Sequence, residues 1–351
     1  MDLLTSKINY PDQNRRGFLL RAKKVIKVKL KYLYVTKTRG IGGKLENPED
    51  FIVKETIDSK FFSKYSRQNR VKLAEGKNSL IIVKKRSMTT HQAVKVIAEK
   101  YGIDKKEISY AGLKDKFAVT EQYMTIKQNV EGFKENNIEV RVVGKTDKVL
   151  GIGDLIENQF EITLHNCKNL KNMPIILKKI RIKGIPNYFG PQRFSTNNHI
   201  IGKLLVKRKF SYALELINKN YTKKYNNIVN VDKKKLKFFI NAYQSYIFNE
   251  SLNDIIKTKR KIREISIIGS DTKKIHTFMK RILDKEGISS KNFEIKELNL
   301  SCRGGNRRTF INPDIKYKIK GKDVTFYFSL PKGSYATVVL NEISKKEFRK
   351  Q

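Results

Sequence analysis

The sequence is poor in the residues that build disulfide frameworks and metal centres. Cys167 and Cys302 are the only cysteines among 351 residues, and the four histidines show no ligand spacing with one another or with the cysteines. A disulfide framework needs several paired cysteines, and a zinc site needs closely spaced Cys or His ligands. The composition therefore predicts a protein without a disulfide framework and without a metal ion.

Long apolar runs are also missing from the sequence. No stretch approaches the roughly 20 consecutive apolar residues that a membrane-spanning helix needs. The N-terminal stretch MDLLTSKINYPDQNRR lacks the charged start and apolar centre of a signal peptide. We therefore expect a soluble, cytoplasmic protein that makes no use of a membrane.

Acidic residues are scarce relative to basic ones. The chain has 34 Asp and Glu against 75 Lys and Arg, which gives a formal net charge of +41. So large an excess attracts polyanions, with nucleic acid as the first candidate and an anionic membrane surface as the second. The lysines are spread along the whole chain, which indicates a folded binder rather than a basic tail. With 39% hydrophobic residues the chain can bury one or two cores.

The apolar pattern predicts an α+β fold with strands near both ends of the chain and helices in the middle. Helices are predicted over residues 91–101, 174–183 and 235–256, the first with a Thr89–Gln92 capping box. We predict a discontinuous domain of residues 1–195 and 301–351, interrupted by a mainly helical insertion of residues 196–300. Strands are predicted over residues 25–36, 51–56, 78–86, 120–126, 138–144, 159–165, 323–330 and 334–342.

One acidic residue stands out in the stretch SYAGLKDKFAV, residues 109–119. Asp115 lies between Lys114 and Lys116, shortly after a glycine. Asp, Lys and Gly are ordinary turn residues, so a structural turn is one reading. The other is catalytic, because flanking ammonium groups favour an ionised carboxylate, which can act as a nucleophile or a proton acceptor. The two lysines could also hold phosphates of a bound nucleotide.

The stretch PNYFGPQRF, residues 186–194, leaves a similar choice. Its aromatic side chains, Tyr188, Phe189 and Phe194, could simply fill a turn, or one of them could provide a platform for an unpaired base. In that second reading Asn187 and Gln192 could contact a base edge, and Arg193 a phosphate.

Glycine-rich stretches offer a weaker signal. SCRGGNRR, residues 301–308, sets arginines including Arg307 around two glycines, which fits either a phosphate-binding loop or a solvated basic turn. GIGG and GIGD are too short for a dinucleotide fingerprint, and no Walker A loop is present. The sequence thus contains no recognisable cofactor-binding motif.

Several separated segments, in a fixed order, resemble the TruD family of pseudouridine synthases. The similarity runs from about Gly40 to Glu342. Its segments are NPEDFIVKE, YAGLKDKFAVTEQ, PNYFGPQRF, AYQSYIFNESL and SLPKGSYATVVLNE, the last of which resembles a C-terminal strand pair. The resemblance implies an α+β pseudouridine synthase fold with a mixed, largely antiparallel sheet and a helical insertion called the TRUD domain.

The resemblance also implies a reaction and roles for particular residues. A monomeric enzyme of this family needs no cofactor and isomerises uridine to pseudouridine, usually at uridine 13 of tRNA, after extruding the base from its stack. The implied roles are catalysis for Asp115, stacking on the uracil for Phe189 and orientation for Asn187. RNA positioning is expected of Lys114, Lys116, Arg193, Gln192 and Arg307, and less strongly of Lys44.

Other functions remain open at the level of sequence. A non-catalytic RNA-binding or RNA-chaperone protein of the same fold would share the charge and the aromatic residues. A synthase of this family could also act on another tRNA position or on another RNA. A methyltransferase would need a glycine-rich cofactor loop that the sequence lacks.

Overall fold

A computed structural model describes residues 30–61 and 76–348. The described chain divides into two compact units. The sheet unit contains residues 34–61, 76–190 and 308–348, and the helical unit contains residues 30–33 and 191–307. The chain passes between the units at residues 33–34, 190–191 and 307–308. The sequence instead predicts residues 1–195 in one domain, with boundaries at 195–196 and 300–301.

Most of the described strands lie in the sheet unit, whereas the helical unit contains only short ribbons. The described strands are β1 Gly42–Lys44, β2 Phe51–Ile57, β3 Asn78–Arg86, β4 Ile108–Tyr110, β5 Val119–Ile126, β6 Phe133–Glu135, β7 Ile138–Thr146, β8 Leu155–Cys167, β9 Ile185–Pro186, β10 Glu264–Ile267, β11 Glu294–Ile295, β12 Leu300–Ser301, β13 Gly305–Arg308, β14 Phe310–Ile311, β15 Lys316–Lys320 and β16 Asp323–Pro331.

Ten of these strands form one sheet. Eight follow the order β15-β16-β8-β2-β5-β3-β7-β6, while β1 pairs with β8 and β4 pairs with β5. Among the described pairs of this sheet, β2 and β5 are parallel and the others are antiparallel. This arrangement confirms the predicted α+β class and the mixed, largely antiparallel sheet.

Helices pack on the sheet and build the second unit. The described α-helices are α1 Thr90–Tyr101, α2 Met173–Lys183, α3 Asn198–Val206, α4 Phe210–Asn220, α5 Lys233–Thr258, α6 Thr277–Glu286 and α7 Ala336–Ser344. The predicted capping box of α1 is present, with Thr89 accepting from the Gln92 backbone N–H, and Gly102 ends the helix at φ 66°. These end signals explain why the limits of α1 could be read from sequence.

One core of the sheet unit lies between α1 and strands β3, β5 and β7. Alternate residues of a strand share a face, so Ile81 and Val83 of β3 point toward α1 together with Met124 of β5. Lys85 follows Val83 by two residues and therefore lies on the same face of β3, where it is buried although it is charged. This core consists of Ile81, Val83, Ala93, Val94, Ile97, Ala98, Ile108, Met124, Ile126, Ile138 and Val140.

Helix α7 overturns one prediction. The strand predicted over residues 334–342 is wrong, because Ala336–Ser344 is helical and all nine of its residues are buried. β-Branched residues favour strands only weakly, and an element that is buried all round shows neither strand alternation nor a helical stripe. The helix contacts α2, β1 and β9, so tertiary packing outweighs the local preference.

The strand predicted over residues 25–36 is also not formed where it can be described. Residues 30–36 are irregular, and residues 25–29 lie outside the described residues. Thr36 is instead held from α7, where the buried Glu342 carboxylate accepts from its backbone N–H at 3.0 Å and from its hydroxyl at 2.7 Å.

A short two-stranded ribbon joins the segment where the chain leaves the sheet unit to the segment where it re-enters. β9 and β14 pair antiparallel, with Ile185 opposite Ile311. The Asn187 backbone N–H then donates to the Thr309 carbonyl at 2.8 Å. The two ends of the interrupted chain are thereby fixed side by side.

A histidine near the C-terminal end of β8 bridges two acidic residues. His165 Nε2 lies 2.8 Å from Asp50 Oδ1, and Nδ1 lies 2.9 Å from Asp323 Oδ2. Hydrogen bonds to the Asp50 and Asp323 carboxylates raise the pKa of His165 above its ordinary value. Asp50 also accepts two backbone N–H groups, from Glu46 and Asn47, each at 2.7 Å.

The helical unit is centred on α5. Its apolar residues at helical spacing are all buried; they include Leu236, Phe239, Ile240, Tyr243, Ile247 and Ile255. Two short ribbons, β10 with β13 and β11 with β12, accompany the helices. Among the described residues, no helix is long and apolar enough to cross a membrane.

Candidate active site

Asp115 lies in the loop of residues 111–118, between β4 and β5. Ala111 and Ala118, at the ends of this loop, are 2% and 0% exposed, whereas Asp115 itself is exposed. β4 and β5 pair with each other, so the loop is anchored at both ends to the same part of the sheet. The loop therefore holds Asp115 at the surface from a fixed base.

Two buried polar side chains hold the backbone of the loop before Asp115. Gln122 Nε2 donates to the Gly112 carbonyl at 3.2 Å, and the Lys114 backbone N–H donates to Thr90 Oγ1 at 2.8 Å. The two clamping groups are themselves linked, because Thr90 Oγ1 donates to Gln122 Oε1 at 2.9 Å. Thr90 is the first residue of α1, and Gln122 lies in β5, so a helix and a strand together fix the loop.

Lys85 holds the backbone at Asp115 itself. Its side chain is buried, and Nζ donates to the carbonyl of Asp115 at 3.3 Å and to the carbonyl of Met88. A buried ammonium group needs such acceptors because desolvation without them is costly. The strand position of Lys85 thus places a positive charge beneath the candidate catalytic residue.

Lys114 points into the protein rather than toward solvent. Its ammonium group lies 2.9 Å from Glu55 Oε1, with side-chain exposures of 7% and 0%. That contact is an ion pair without hydrogen-bond alignment, while Lys114 Nζ also donates to Asn158 Oδ1. The other oxygen of Glu55 accepts from the Tyr123 backbone N–H at 3.0 Å. This burial favours a role in positioning the loop over a direct contact with phosphate.

The remaining lysines singled out from the sequence lie at the surface. Lys116 is exposed on the same loop as Asp115. Lys44 is exposed in β1 and pairs with Glu46 at 2.8 Å. Both positions are accessible to a polyanion in a way that the Lys114 ammonium group is not.

Asn187 and Phe189 belong to the same unit as Asp115. Asn187 is buried, donates from Nδ2 to the Arg308 carbonyl at 3.1 Å, and accepts from Ser334 Oγ at 3.1 Å. The Phe189 ring is 9% exposed and meets Tyr335 edge-on, with ring centroids 6.2 Å apart. Each side chain is therefore held in a defined orientation.

Gln192, Arg193 and Arg307 fall in the helical unit. Arg193 Nε donates to Ser245 Oγ of α5 at 3.2 Å, and its guanidinium lies 5.8 Å from the ring centroid of Phe238. The Arg307 guanidinium lies 5.6 Å from the ring centroid of Phe248, also in α5. Gln192 is partly exposed. The unit boundary thus divides the stretch PNYFGPQRF between Gly190 and Pro191.

The sequence reading missed the polar residues beneath the loop. Lys85, Glu55, Gln122 and Thr90 were not singled out, although they hold the loop. A signal was present in the sequence, because Glu55 and Lys85 each follow a buried valine, Val53 or Val83, by two residues and so lie on the same buried face of the strand. A charged residue at a buried strand position indicates a specific polar partner.

Metal ligands are not grouped anywhere in residues 30–61 and 76–348. No three His, Cys, Asp or Glu side chains of those residues are arranged to hold a metal ion. The two cysteines are unpaired thiols in buried positions, and burial raises the pKa of each to about 11.

Comparison with known families places most of this chain in one group. The family model described as "tRNA pseudouridine synthase D (TruD)" matches residues 30–230 and 265–343. The sequence is 31% identical to "Probable tRNA pseudouridine synthase D" of Pyrococcus abyssi, over 89% of this chain and 98% of the relative. It is 29% identical to the protein of the same name from Thermococcus sibiricus, over 90% and 97% of the two chains.

A solved structure shows the same fold. The crystal structure from Methanosarcina mazei named for the same synthase covers 91% of this chain and 97% of its own, with a TM-score of 0.68. The two sequences are 24% identical, so this likeness concerns the fold.

Proposed function

Since the chain belongs to the TruD family of tRNA pseudouridine synthases, we propose that it isomerises uridine 13 of tRNA with Asp115 as its catalytic residue. The observation that carries this proposal is the exposed Asp115 on a loop whose backbone is fixed at residues 112, 114 and 115. A group fixed before the substrate arrives needs little reorganisation during the reaction.

The isomerisation conserves every atom of the uridine. The bond between N1 of uracil and C1′ of ribose breaks, and a bond between C5 and C1′ forms after the base turns over. C5 loses a proton and N1 gains one, so the net composition is unchanged. An ionised carboxylate can attack the nucleotide as a nucleophile or accept the C5 proton, and either role needs Asp115 close to the sugar.

The target base must leave its stack before the reaction, at a cost of a few kcal/mol. We assign Phe189 to stacking on the extruded uracil, which contributes about 1–3 kcal/mol for one base. The edge-on contact with Tyr335 would hold the Phe189 ring in place. Asn187, which Arg308 and Ser334 hold in place, is assigned to orienting Asp115 and the base.

Phosphate contacts are assigned to cations that are at least partly exposed. Lys116 next to Asp115 is our first choice, followed by Arg193 and Arg307, whose guanidinium groups α5 orients. Gln192 is assigned to a base edge, and Lys44 is a weaker candidate for the backbone. Such contacts position RNA without reading its sequence.

The test compares Asp115→Asn with the native protein on tRNA transcripts, without added metal or cofactor. We expect native protein to form pseudouridine at position 13 and the variant to form none. The tRNA affinity of the variant should stay within about twofold of the native value, because a carboxylate adds nothing to phosphate binding. Pseudouridine is mapped by chemical modification and reverse transcription. A transcript with cytidine at position 13 is the substrate control.

Three outcomes would contradict parts of the proposal. Pseudouridine at another position would reject the choice of uridine 13. An active Asp115→Asn variant would reject the catalytic assignment. Native protein that binds tRNA without modifying any uridine would favour the RNA-binding alternative.

A further inference from the structure

The loop that carries Asp115 also displays an apolar side chain. Leu113 is 64% exposed, two residues before Asp115. Residues 113, 115 and 116 are the exposed residues of the loop 111–118, and Leu113 is the apolar one. A single exposed leucine is common on protein surfaces and by itself indicates nothing.

The position of Leu113 distinguishes it from an incidental surface leucine. The Gly112 carbonyl accepts from Gln122, and the Lys114 N–H donates to Thr90, so the peptide groups on both sides of Leu113 are fixed. The next side chain, Lys114, is turned inward to Glu55. The fixed backbone therefore directs Leu113 outward, two residues from Asp115.

We propose that Leu113 inserts into the base stack of the bound RNA, beside the uridine that leaves it. This inference rests on the proposed role of Asp115. Asp115 must reach the ribose of the extruded nucleotide, and two residues of chain span at most about 7 Å, so Leu113 lies close to the gap that the base leaves. The exposed faces of the neighbouring bases are apolar, and aliphatic side chains are used as wedges between base steps.

Insertion gives the exposed Leu113 side chain an apolar partner in the bound RNA. The side chain replaces one stacking partner of the neighbouring base and excludes water from the gap. It thereby disfavours the return of the uridine to the stack, which increases the fraction of complexes with the base extruded. The expected partner is a stacked stretch of RNA, not a phosphate group.

The kinetic test uses Leu113→Ala and Leu113→Met with tRNA at saturating enzyme. We expect Leu113→Ala to slow single-turnover pseudouridine formation about tenfold, because the wedge is lost, and Leu113→Met to retain the native rate within about twofold. Ile319→Ala is the matched control, since Ile319 is 48% exposed in β15 at the edge of the sheet. The control should keep the native rate.

A fluorescence readout separates insertion from other causes of slow turnover. The probe is tRNA with 2-aminopurine next to the target uridine, and the protein carries Asp115→Asn so that the complex does not react. We expect protein binding to raise the 2-aminopurine fluorescence, because the uridine next to it leaves the stack. Adding Leu113→Ala should remove most of that rise in fluorescence. Leu113→Met in the same background should keep it.

Two results would overturn the inference. One is an unchanged turnover rate for Leu113→Ala, and the other is slowed turnover with the full fluorescence rise. Either can occur while Asp115→Asn is inactive, which leaves the proposed function intact. An active Asp115→Asn variant would instead reject the proposed function, whatever Leu113 does.

Discussion

At the scale of single residues, the candidate site depends on polar side chains that contact backbone atoms. Gln122, Thr90 and Lys85 hold the groups at residues 112, 114 and 115, and none of them needs to contact RNA. Buried polar groups of this kind specify one conformation only when all their partners are present. The exposed position of Asp115 is therefore a property of its surroundings as much as of its own loop.

Lys114 and Lys116 show what sequence can and cannot predict about such a loop. Asp115 could be singled out because it lies between two lysines in the stretch YAGLKDKFAVTEQ, which resembles the catalytic motif of the TruD family. An irregular loop has no period, however, so nothing local says which lysine turns inward. That choice depends on Glu55, which lies in another strand and is far away in sequence.

We predict that Lys114→Met lowers the free energy of unfolding by about 3–5 kcal/mol, because it leaves the buried Glu55 carboxylate without its cation. The measurement is denaturant unfolding followed by circular dichroism. Adding Glu55→Gln should restore part of the loss, since the uncompensated charge is then removed.

The matched control is Lys116→Met, at an exposed position two residues away. It should change stability by less than about 0.5 kcal/mol, as surface substitutions usually do. If Lys114→Met keeps native stability and reduces only the salt dependence of tRNA binding, then Lys114 contacts phosphate and its assignment to the loop is wrong.

At the scale of elements, local signals were sufficient where an element has clear ends or one apolar face. Strand β3 has the predicted limits, residues 78–86, because its flanks and composition mark them. Helix α1 could be predicted from its caps and apolar face. Helix α7 could not, because burial on all sides removes the periodicity that distinguishes a helix from a strand.

The bridge between Asp50, His165 and Asp323 links three elements and should make stability depend on pH. The pKa of His165 is raised by its hydrogen bonds to the two carboxylates. A group whose pKa is higher in the folded state stabilises fully below its unfolded pKa, about 6.5 for histidine, and less as pH rises through the folded value. This contribution should therefore be full in mild acid and decline as pH rises through the folded pKa of His165.

The check is the melting temperature of native protein and of His165→Gln at several pH values. We expect the melting temperature of native protein to exceed that of the variant most at about pH 6. The difference between the two melting temperatures should narrow as pH rises past the folded pKa of His165. His91→Gln is the control, at an exposed histidine. A gap between native protein and His165→Gln that is independent of pH would show that the charge of His165 does not contribute.

At the scale of the whole molecule, chain connectivity determines how the chain divides into units, and net charge determines the expected response of RNA binding to salt. The fold class and the helical interruption followed from the succession of elements, whereas the crossing points at residues 190–191 and 307–308 did not. They are set by the β9–β14 ribbon, whose strands are two residues long and too short to show a pattern. Pairing between segments so far apart in sequence leaves no local signal.

The net charge of +41 predicts that tRNA affinity falls steeply with salt. Each phosphate neutralised contributes about 0.7–0.9 to the slope of log affinity against log salt, so we expect a slope of several units. Fluorescence anisotropy of labelled tRNA at increasing potassium chloride concentration measures it. A nearly flat response would mean that phosphate contacts do not lead binding.

Fixing a loop through its peptide groups has a practical consequence for protein engineering. Positions 113 and 116 project outward, while the hydrogen bonds that shape the backbone involve other atoms. Randomising these two positions should therefore yield folded variants in high proportion. Such a library could be selected for altered choice of RNA without redesigning the scaffold.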